Sequence, residues 1–501
     1  MLTEKDIRWD KQAEVVVVGY GMAGAVAAIA AHDAGARVVV LEKQPADNHY
    51  TFSSMSSGIF ISTSDVDGAI TYMKALCRVN EDMYWTDPDV IEVWARYVAQ
   101  NKQWIEKLGG KLIFAKKGGE HPELPGADSM ELWQYRGMGR IMMDFLYEQA
   151  RSRGVEVLYG TPAQELITNL KGEVIGVRAH VGDQKALINV KASKGVILCS
   201  GGFEFNEQMK LQFLKVYPSY FDGSPSNTGD GIKMALKVGA DLWHMNCVSA
   251  RFVGKFAEFP MPFKFDYGGG GWIRHQAHGE ETPQTTAFII VDRYGRRYTN
   301  ENFKIHCVYY EVTSFDTQRL EYPRVPSYFV FDRKRMQAGP LAQTHSGPAG
   351  PHRLYTWSRD NMVELKKGWI TEGRTVRELA RKLGMSPGVL ENTIRTWNMY
   401  CDKGEDQKFG RNSTDLVALA DPPFYAIRLL PGGANTQGGP RRNKRAQIVD
   451  PDGNPIPGLY SAGELGSVYG MLYPVGGGNL GECIAFGRIA GENAAADKTK
   501  E

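Results

Sequence analysis

Ala13-Glu14-Val15-Val16-Val17-Val18-Gly19-Tyr20-Gly21-Met22-Ala23-Gly24, an alanine-rich run to Ala34, and then Gly35-Ala36-Arg37-Val38-Val39-Val40-Leu41-Glu42 decide the fold. The unbroken valines predict a strand buried on both faces of a parallel sheet. The alanine run predicts a helix closed by Gly35, and Arg37 to Leu41 predict a second strand. The glycines between strand and helix fall in a Gly-x-Gly-x-x-Gly pattern. Gly19 permits a tight turn, Gly21 lets the backbone approach a pyrophosphate, and Gly24 lets the helix pack closely on the strand. Met22 and Ala23 open the helix, whose N-terminal N–H groups and positive dipole end suit phosphate. Glu42, 18 residues beyond Gly24, is placed to accept hydrogen bonds from ribose hydroxyls. The glycine pattern alone is a weak signal. Strand, helix and acid at these spacings make it a dinucleotide site.

Two more glycine-bearing strand ends lie far downstream. Gly195-Val196-Ile197-Leu198-Cys199 runs into Ser200-Gly201-Gly202, and Gly458-Leu459-Tyr460-Ser461 into Ala462-Gly463-Glu464. The local fingerprint does not separate FAD from NAD, but a dinucleotide held from one end of the chain to the other suits a permanently bound flavin.

Composition narrows the class. The 501 residues are 43% hydrophobic, which excludes a disordered chain and allows roughly three units of ~150 residues. A balance of 59 Lys+Arg against 57 Asp+Glu, net +2, excludes a strongly basic nucleic-acid binder. Cys77, Cys199, Cys247, Cys307, Cys401 and Cys483 are widely spaced with no CxxC pair. That predicts reduced thiols in a cytoplasmic protein. Met1 to Lys11 has no apolar signal core, and no apolar stretch is long enough to span a bilayer. His275-x-x-His278 has metal-like spacing but no evident third ligand, so no metal is expected. Arg441-Arg442-Asn443-Lys444-Arg445 reads as a solvated hairpin edge, because it lacks the interleaved aromatics of a nucleic-acid site. Trp133, Trp272, Phe252 and Phe256 read as pocket lining or core.

Val155 to Tyr159 and Val174 to Val177 are expected as strands of a meander. Helices are expected at Val376–Leu383 and Pro387–Tyr400, with Gly384 closing the first and Ser386-Pro387 opening the second. Val389, Leu390, Ile394 and Trp397 form the apolar stripe. Buried-strand texture returns near Pro422, and Tyr473-Pro474-Val475-Gly476-Gly477-Gly478-Asn479-Leu480-Gly481 opens a last helix to about Ala495. The expected fold class is α/β. A Rossmann-type FAD-binding domain is split into residues 1–242 and 419–501, with an α+β substrate-capping domain inserted at 243–418.

The chain resembles the flavoproteins that include soluble fumarate reductases, urocanate reductase and 3-ketosteroid dehydrogenases. The resemblance rests on Gly19 to Glu42, Gly195 to Phe203, Asn227-Thr228-Gly229-Asp230-Gly231, Arg296-Arg297-Tyr298-Thr299-Asn300-Glu301, and Gly458 through Gly491, in family order. It implies that Glu42 with Lys43 holds the adenosine ribose and that Ala163 presents backbone to the adenine. Ser200, Gly201, Gly202, Asn227, Thr228, Gly229 and Asp230 would line the pyrophosphate and ribityl side. Gly463 and Glu464 would bind the ribityl chain, and Gly478, Asn479 and Leu480 would meet the flavin ring. The family's small-residue loop after the ribose acid is bulkier here, Asp47 to Ser54; Ser53, Ser54 and Gly58 are placed beside the cofactor. Nothing signals covalent flavin attachment.

Within that family the dicarboxylate-binding residues are missing. Asn435-Thr436-Gln437-Gly438-Gly439 lacks the His of the reductase pattern. No Arg precedes the final glycines, and none follows Asn300-Glu301 in Asn302 to His306. Guanidinium forks match carboxylates, so their loss argues against a dicarboxylic substrate. Tyr473-Pro474-x-Gly476-Gly477 resembles the ketosteroid dehydrogenase motif. There a Tyr hydroxyl and a Gly amide polarise a ketone oxygen, acidifying the α C–H while the β hydrogen leaves as hydride to the flavin. The implied pair is Tyr473 and the Gly477 N–H. His306 is the favoured base, with Lys304, Tyr309 and Tyr310 nearby. Tyr135 is a candidate for a second tyrosine, although an exposed loop position is the expectation. The implied partners are a cyclic ketone or enone and an unidentified electron acceptor or donor. The alternatives are an enone or enoate reductase running in reverse, and a flavin-binding protein without catalysis.

Overall fold

The computed structural model describes residues 2–3, 7–182, 186–265, 285–302, 306–342 and 355–500. Gly268 to Gly271, Trp272, His275, His278, Lys304 and Ile305 lie outside them. The chain divides into two compact units, one of Met1–Leu214, Gly223–Ser249 and Asn435–Glu501, the other of Lys215–Asp222 and Ala250–Ala434.

In the first unit, Lys11–Val18 lies between Val38–Leu41 and Ala186–Leu198, all parallel, and Pro455–Ser461 pairs parallel with the far side of Val196 to Leu198. The valines are buried on both faces, as the expected parallel sheet requires. Register explains why distant motifs meet. Leu41, Val18, Leu198 and Ser461 stand level. Glu42, Gly19, Cys199 and Ala462 therefore leave the sheet together at its carboxyl edge, where ligands of such sheets bind.

The expected meander needs correction. Glu156–Leu158 pairs parallel with Val39 to Leu41, because helix Met138–Ser152 carries the chain back across the sheet. The meander consists of Ala163–Thr168, Val174–Val181 and the first half of Ala186–Leu198.

Helix Met22–Asp33 packs on the last helix, Gly478–Ala496, and both are buried over most of their surface. Small residues make that approach possible: a Cβ on Gly491 would lie 2.5 Å from the Ala27 carbonyl oxygen. Gly491→Val is expected to cost about 1–3 kcal/mol by overpacking, read as a lower urea midpoint.

The basic run is a solvated edge only in part: Lys444 and Arg445 are exposed, but its first two arginines are held by acids. Arg442 is fully buried and bonded to Glu482, while Arg441 bonds Asp87 at 2.9 Å and Asp241 at 3.5 Å. Acids from neighbouring elements draw these side chains inward.

In the second unit, Phe424–Thr436 is the central strand, antiparallel to Ser327–Asp332 and to Ile370–Gly373. Phe288–Val291 extends the sheet beyond Ser327–Asp332. Helices Val376–Lys382 and Pro387–Lys403 cover it, with Leu390, Ile394 and Trp397 in the core and Val389 only half-buried. Arg297 bonds Glu301 at 2.6 Å and Asp406 at 2.9 Å, all three buried, so the Arg296-to-Glu301 motif is anchored from two sides. Phe252 is buried, and Phe256 stacks on Trp369 at 4.1 Å.

Candidate active site

The sheet's carboxyl edge gathers the predicted cofactor residues of the first unit. At Gly19 (φ +97°) a Cβ would lie 2.5 Å from the Cys199 carbonyl oxygen, and at Gly24 it would lie 2.0 Å from that of Gly19. Side chains are excluded there by contact. At Gly21 the nearest atom to such a Cβ is Ser53 Oγ at 3.7 Å, so the helix start is open on that side. The Met22 N–H donates to Ser53 Oγ at 3.2 Å. Ser53 and Ser54 sit in the short helix Phe52–Met55, capped by Thr51, and Ser54 Oγ donates to the Thr51 carbonyl at 2.6 Å. Gly58 (φ +68°) lies against the backbone of Met138 and Gly139. Ala163 begins its strand, half-buried.

Glu42 is buried and accepts from the Tyr20 and Gln44 N–H groups, both at 2.8 Å, with His49 Nε2 3.7 Å away. Burial alone would raise its pKa. The nearby His49 ring and the two backbone N–H groups outweigh that and hold it below the usual value, so it stays an acceptor. Sequence reading missed the rings around it: His49 stacks on Tyr20 (5.8 Å, 10°), and Tyr147 and Tyr159 pack against both. The bulky loop after Asp47 was the available signal. Lys43 Nζ donates to Thr228 Oγ1 at 2.9 Å and Asp230 Oδ2 at 2.8 Å, tying this strand end to helix Asp230–Lys237, whose N-cap is Gly229 (φ +71°). The Asn227 amide covers Gly201, where a Cβ would come within 2.8 Å of its Oδ1.

Tyr473 is buried, and its hydroxyl accepts the Asn479 N–H at 2.6 Å. The phenol therefore sits on the first turn of the last helix, whose N-cap is Gly477 (φ +91°). Burial drives its pKa far up, keeping it a neutral hydroxyl. Leu480 is buried beside Asn479, whose Nδ2 lies 3.5 Å from Glu464 Oε1. The loop leading to Tyr473 is anchored by His244, whose Nδ1 is 2.8 Å from the Ser467 carbonyl and Nε2 2.7 Å from that of Trp85. Both carbonyls are satisfied only by imidazolium, yet burial dominates and pulls the group down to about 4. A folded pKa below the unfolded ~6.5 means stability is fully present above pH 6.5 and is lost as pH falls toward 4. His244→Asn is expected to flatten the melting temperature between pH 7 and 5 relative to the parent.

Tyr135 is not in an exposed loop. It ends strand Glu131–Tyr135, is buried, and packs on Phe145 at 5.4 Å, because its strand is the centre of a three-stranded sheet. His306, in the second unit, is buried, and its carbonyl accepts the Ala250 N–H at 3.1 Å. Tyr309 is also buried there, its hydroxyl 3.4 Å from Ser219 Oγ.

The edge fits a dinucleotide cofactor. Ser200 Oγ, Glu204 Oε2 and Gln437 Oε1 are buried there without a hydrogen-bond partner among the described residues, a cost that polar groups of a ligand would relieve. No cluster of three or more metal-ligating side chains occurs among the described residues, nor any helix long and apolar enough to cross a membrane.

Comparison with known proteins gives the family and the fold. A probable fumarate reductase of Shewanella frigidimarina is 27% identical over 506 residues, covering 96% of this chain and 74% of that one. A 3-oxosteroid 1-dehydrogenase of Mycolicibacterium smegmatis is 27% identical over 584 residues, covering 96% and 97%. The crystal structure of 3-ketosteroid delta1-dehydrogenase from Sterolibacterium denitrificans shares the fold, with a TM-score of 0.82 at 22% identity, covering 97% of this chain and all of that one. The sequence pattern of the FAD binding domain family matches residues 14–480, so the chain belongs to that family and is an FAD-dependent oxidoreductase acting on carbon–carbon bonds.

Proposed function

We propose that the protein desaturates a cyclic ketone, such as a 3-oxosteroid or a cyclohexanone-type ring, at the bond next to the carbonyl. The carrying observation is the neutral, buried Tyr473 hydroxyl on the first turn of the last helix. Accepting the Asn479 N–H polarises that hydroxyl as a donor. Tyr473 and the Gly477 N–H then grip the ketone oxygen, where negative charge develops as the α proton leaves. His306 is the proposed acceptor of that proton. FAD, when bound, supplies the two-electron acceptor for the β hydride. Glu42, Ser200, Glu464 and the helix start at Met22 are the proposed holders of the cofactor. They are hydrogen-bonding groups, which supports non-covalent attachment. Acid precipitation is then expected to release the flavin into the supernatant. Free thiols at Cys77, Cys199, Cys401 and Cys483 support a reducing, cytoplasmic location.

The test is anaerobic titration of the purified yellow protein with succinate, cyclohexanones and 3-oxosteroids. Bleaching by ring ketones and not by fumarate's reduced product, succinate, is expected; no bleaching by any ketone sinks the reading. The reductase relative favours the reverse flux as second reading, and turnover with reduced viologen against artificial acceptors separates the two.

A further inference from the structure

The loop after the ribose acid carries a side chain to which the reaction above gives no role. His49 closes the short turn Ala46–Asn48, and its side chain is 6% exposed. Its ring lies 5.2 Å from that of Tyr147 and 5.3 Å from that of Tyr159, and runs nearly parallel to Tyr20 at 5.8 Å. The Tyr147 hydroxyl donates to the Tyr20 carbonyl at 3.0 Å, which fixes one wall of this box. The imidazole so held brings its Nε2 to 3.7 Å from Glu42 Oε2.

That separation is too long for a direct hydrogen bond, and Nε2 is buried with no hydrogen-bond partner among the described residues. Glu42 Oε1 accepts the Gln44 N–H and Oε2 the Tyr20 N–H, so each oxygen keeps a further lone pair. With its proton on Nε2, the imidazole faces the carboxylate as a donor facing an acceptor. A single oxygen about 2.8 Å from each would span the two. The carboxylate repels a phosphate at this point, and a carbonyl has no proton to give it. A hydroxyl both accepts from the imidazole and donates to the carboxylate through one oxygen. Filling the gap in this way relieves the cost of the buried, unmatched donor.

We propose that His49 is a second holder of the adenosine ribose of FAD, its Nε2–H donating to a ribose hydroxyl that donates in turn to Glu42. The inference rests on FAD as the bound dinucleotide and on Glu42 as its ribose acid. It adds the donor that makes this end of the site selective for a hydroxyl.

Flavin affinity, read without turnover, tests it. The full-length protein, freed of flavin, is titrated with FAD and with an FAD analogue whose adenosine ribose lacks both hydroxyls, and flavin fluorescence is followed. His49→Phe keeps a ring in the box and removes the donor. It is expected to weaken FAD binding about 10–100-fold, the usual worth of a hydrogen bond to a charged group, and to leave binding of the analogue within about twofold of the parent. Unchanged or tighter FAD binding, or equal losses for FAD and the analogue, overturns the proposal, because the ring then serves as packing. Should His49→Phe not fold, His49→Ala carries the same comparison, since the loop is tied independently by the Tyr50 N–H donating to Gln44 Oε1 at 3.0 Å. Glu42→Gln separates the two levels: no loss of FAD affinity there removes the ribose acid itself, whereas a loss there with none at His49 sinks this inference alone.

Discussion

Tyr473→Phe lowers kcat/KM for a ring ketone by about 10²–10³-fold, the usual cost of one oxyanion donor, while flavin content stays close to the parent and the melting temperature falls modestly, because the Asn479 N–H loses its acceptor. The ring survives in the variant, so its packing against Tyr469 (5.3 Å) and Gly478 is kept. The loss is confined to the hydroxyl. Because burial keeps that hydroxyl neutral, its contribution should not titrate between pH 6 and 9. His306→Asn, read by the same flavin-reduction rate, tests the proton-acceptor assignment. Stopped-flow reduction of the flavin separates this outcome from a change in product release. An unchanged rate of reduction assigns Tyr473 to capping the last helix and favours the reading without catalysis.

Arg442→Leu is expected to be the most damaging single change for stability. Arg442 and Glu482 are both fully buried, and the guanidinium also lies 4.2 Å over the Phe486 ring. Burial pushes the Glu482 carboxyl up to about 7, with the guanidinium pulling it back. Removing the cation leaves that acid without its partner at a cost of about 3–5 kcal/mol, visible as a lower urea midpoint with unchanged slope. Replacing both partners by leucine is expected to recover most of the loss, since a buried ion pair repays little of its own desolvation. If Arg442→Leu alone unfolds within 1 kcal/mol of the parent, the pair is not a stability element.

The first strand, turn and helix were legible because each rests on local physics. A run of β-branched residues, a glycine pattern and an alanine helix are specified by neighbours in the chain. The helices at Val376 and Pro387 were legible through their caps for the same reason. Glu156–Leu158 was misassigned because three residues carry no periodicity, and its partner is set by the helix that precedes it. Arg442 was misread because a charged run looks solvated until an acid from the last helix is brought beside it. Glu204 was overlooked although an acid two residues past a glycine pair parallels Glu464 after Gly463.

The sequence by itself determined the dinucleotide turn, the order of the motifs and the family, since these depend on residue type and spacing along one chain. The tertiary structure alone decided that Leu41, Val18, Leu198 and Ser461 stand level. It alone put Tyr473 on the helix start. Sheet register and burial are long-range outcomes, fixed by which strands pair and what they exclude from water, and it is burial that sets the charge states on which the chemistry depends.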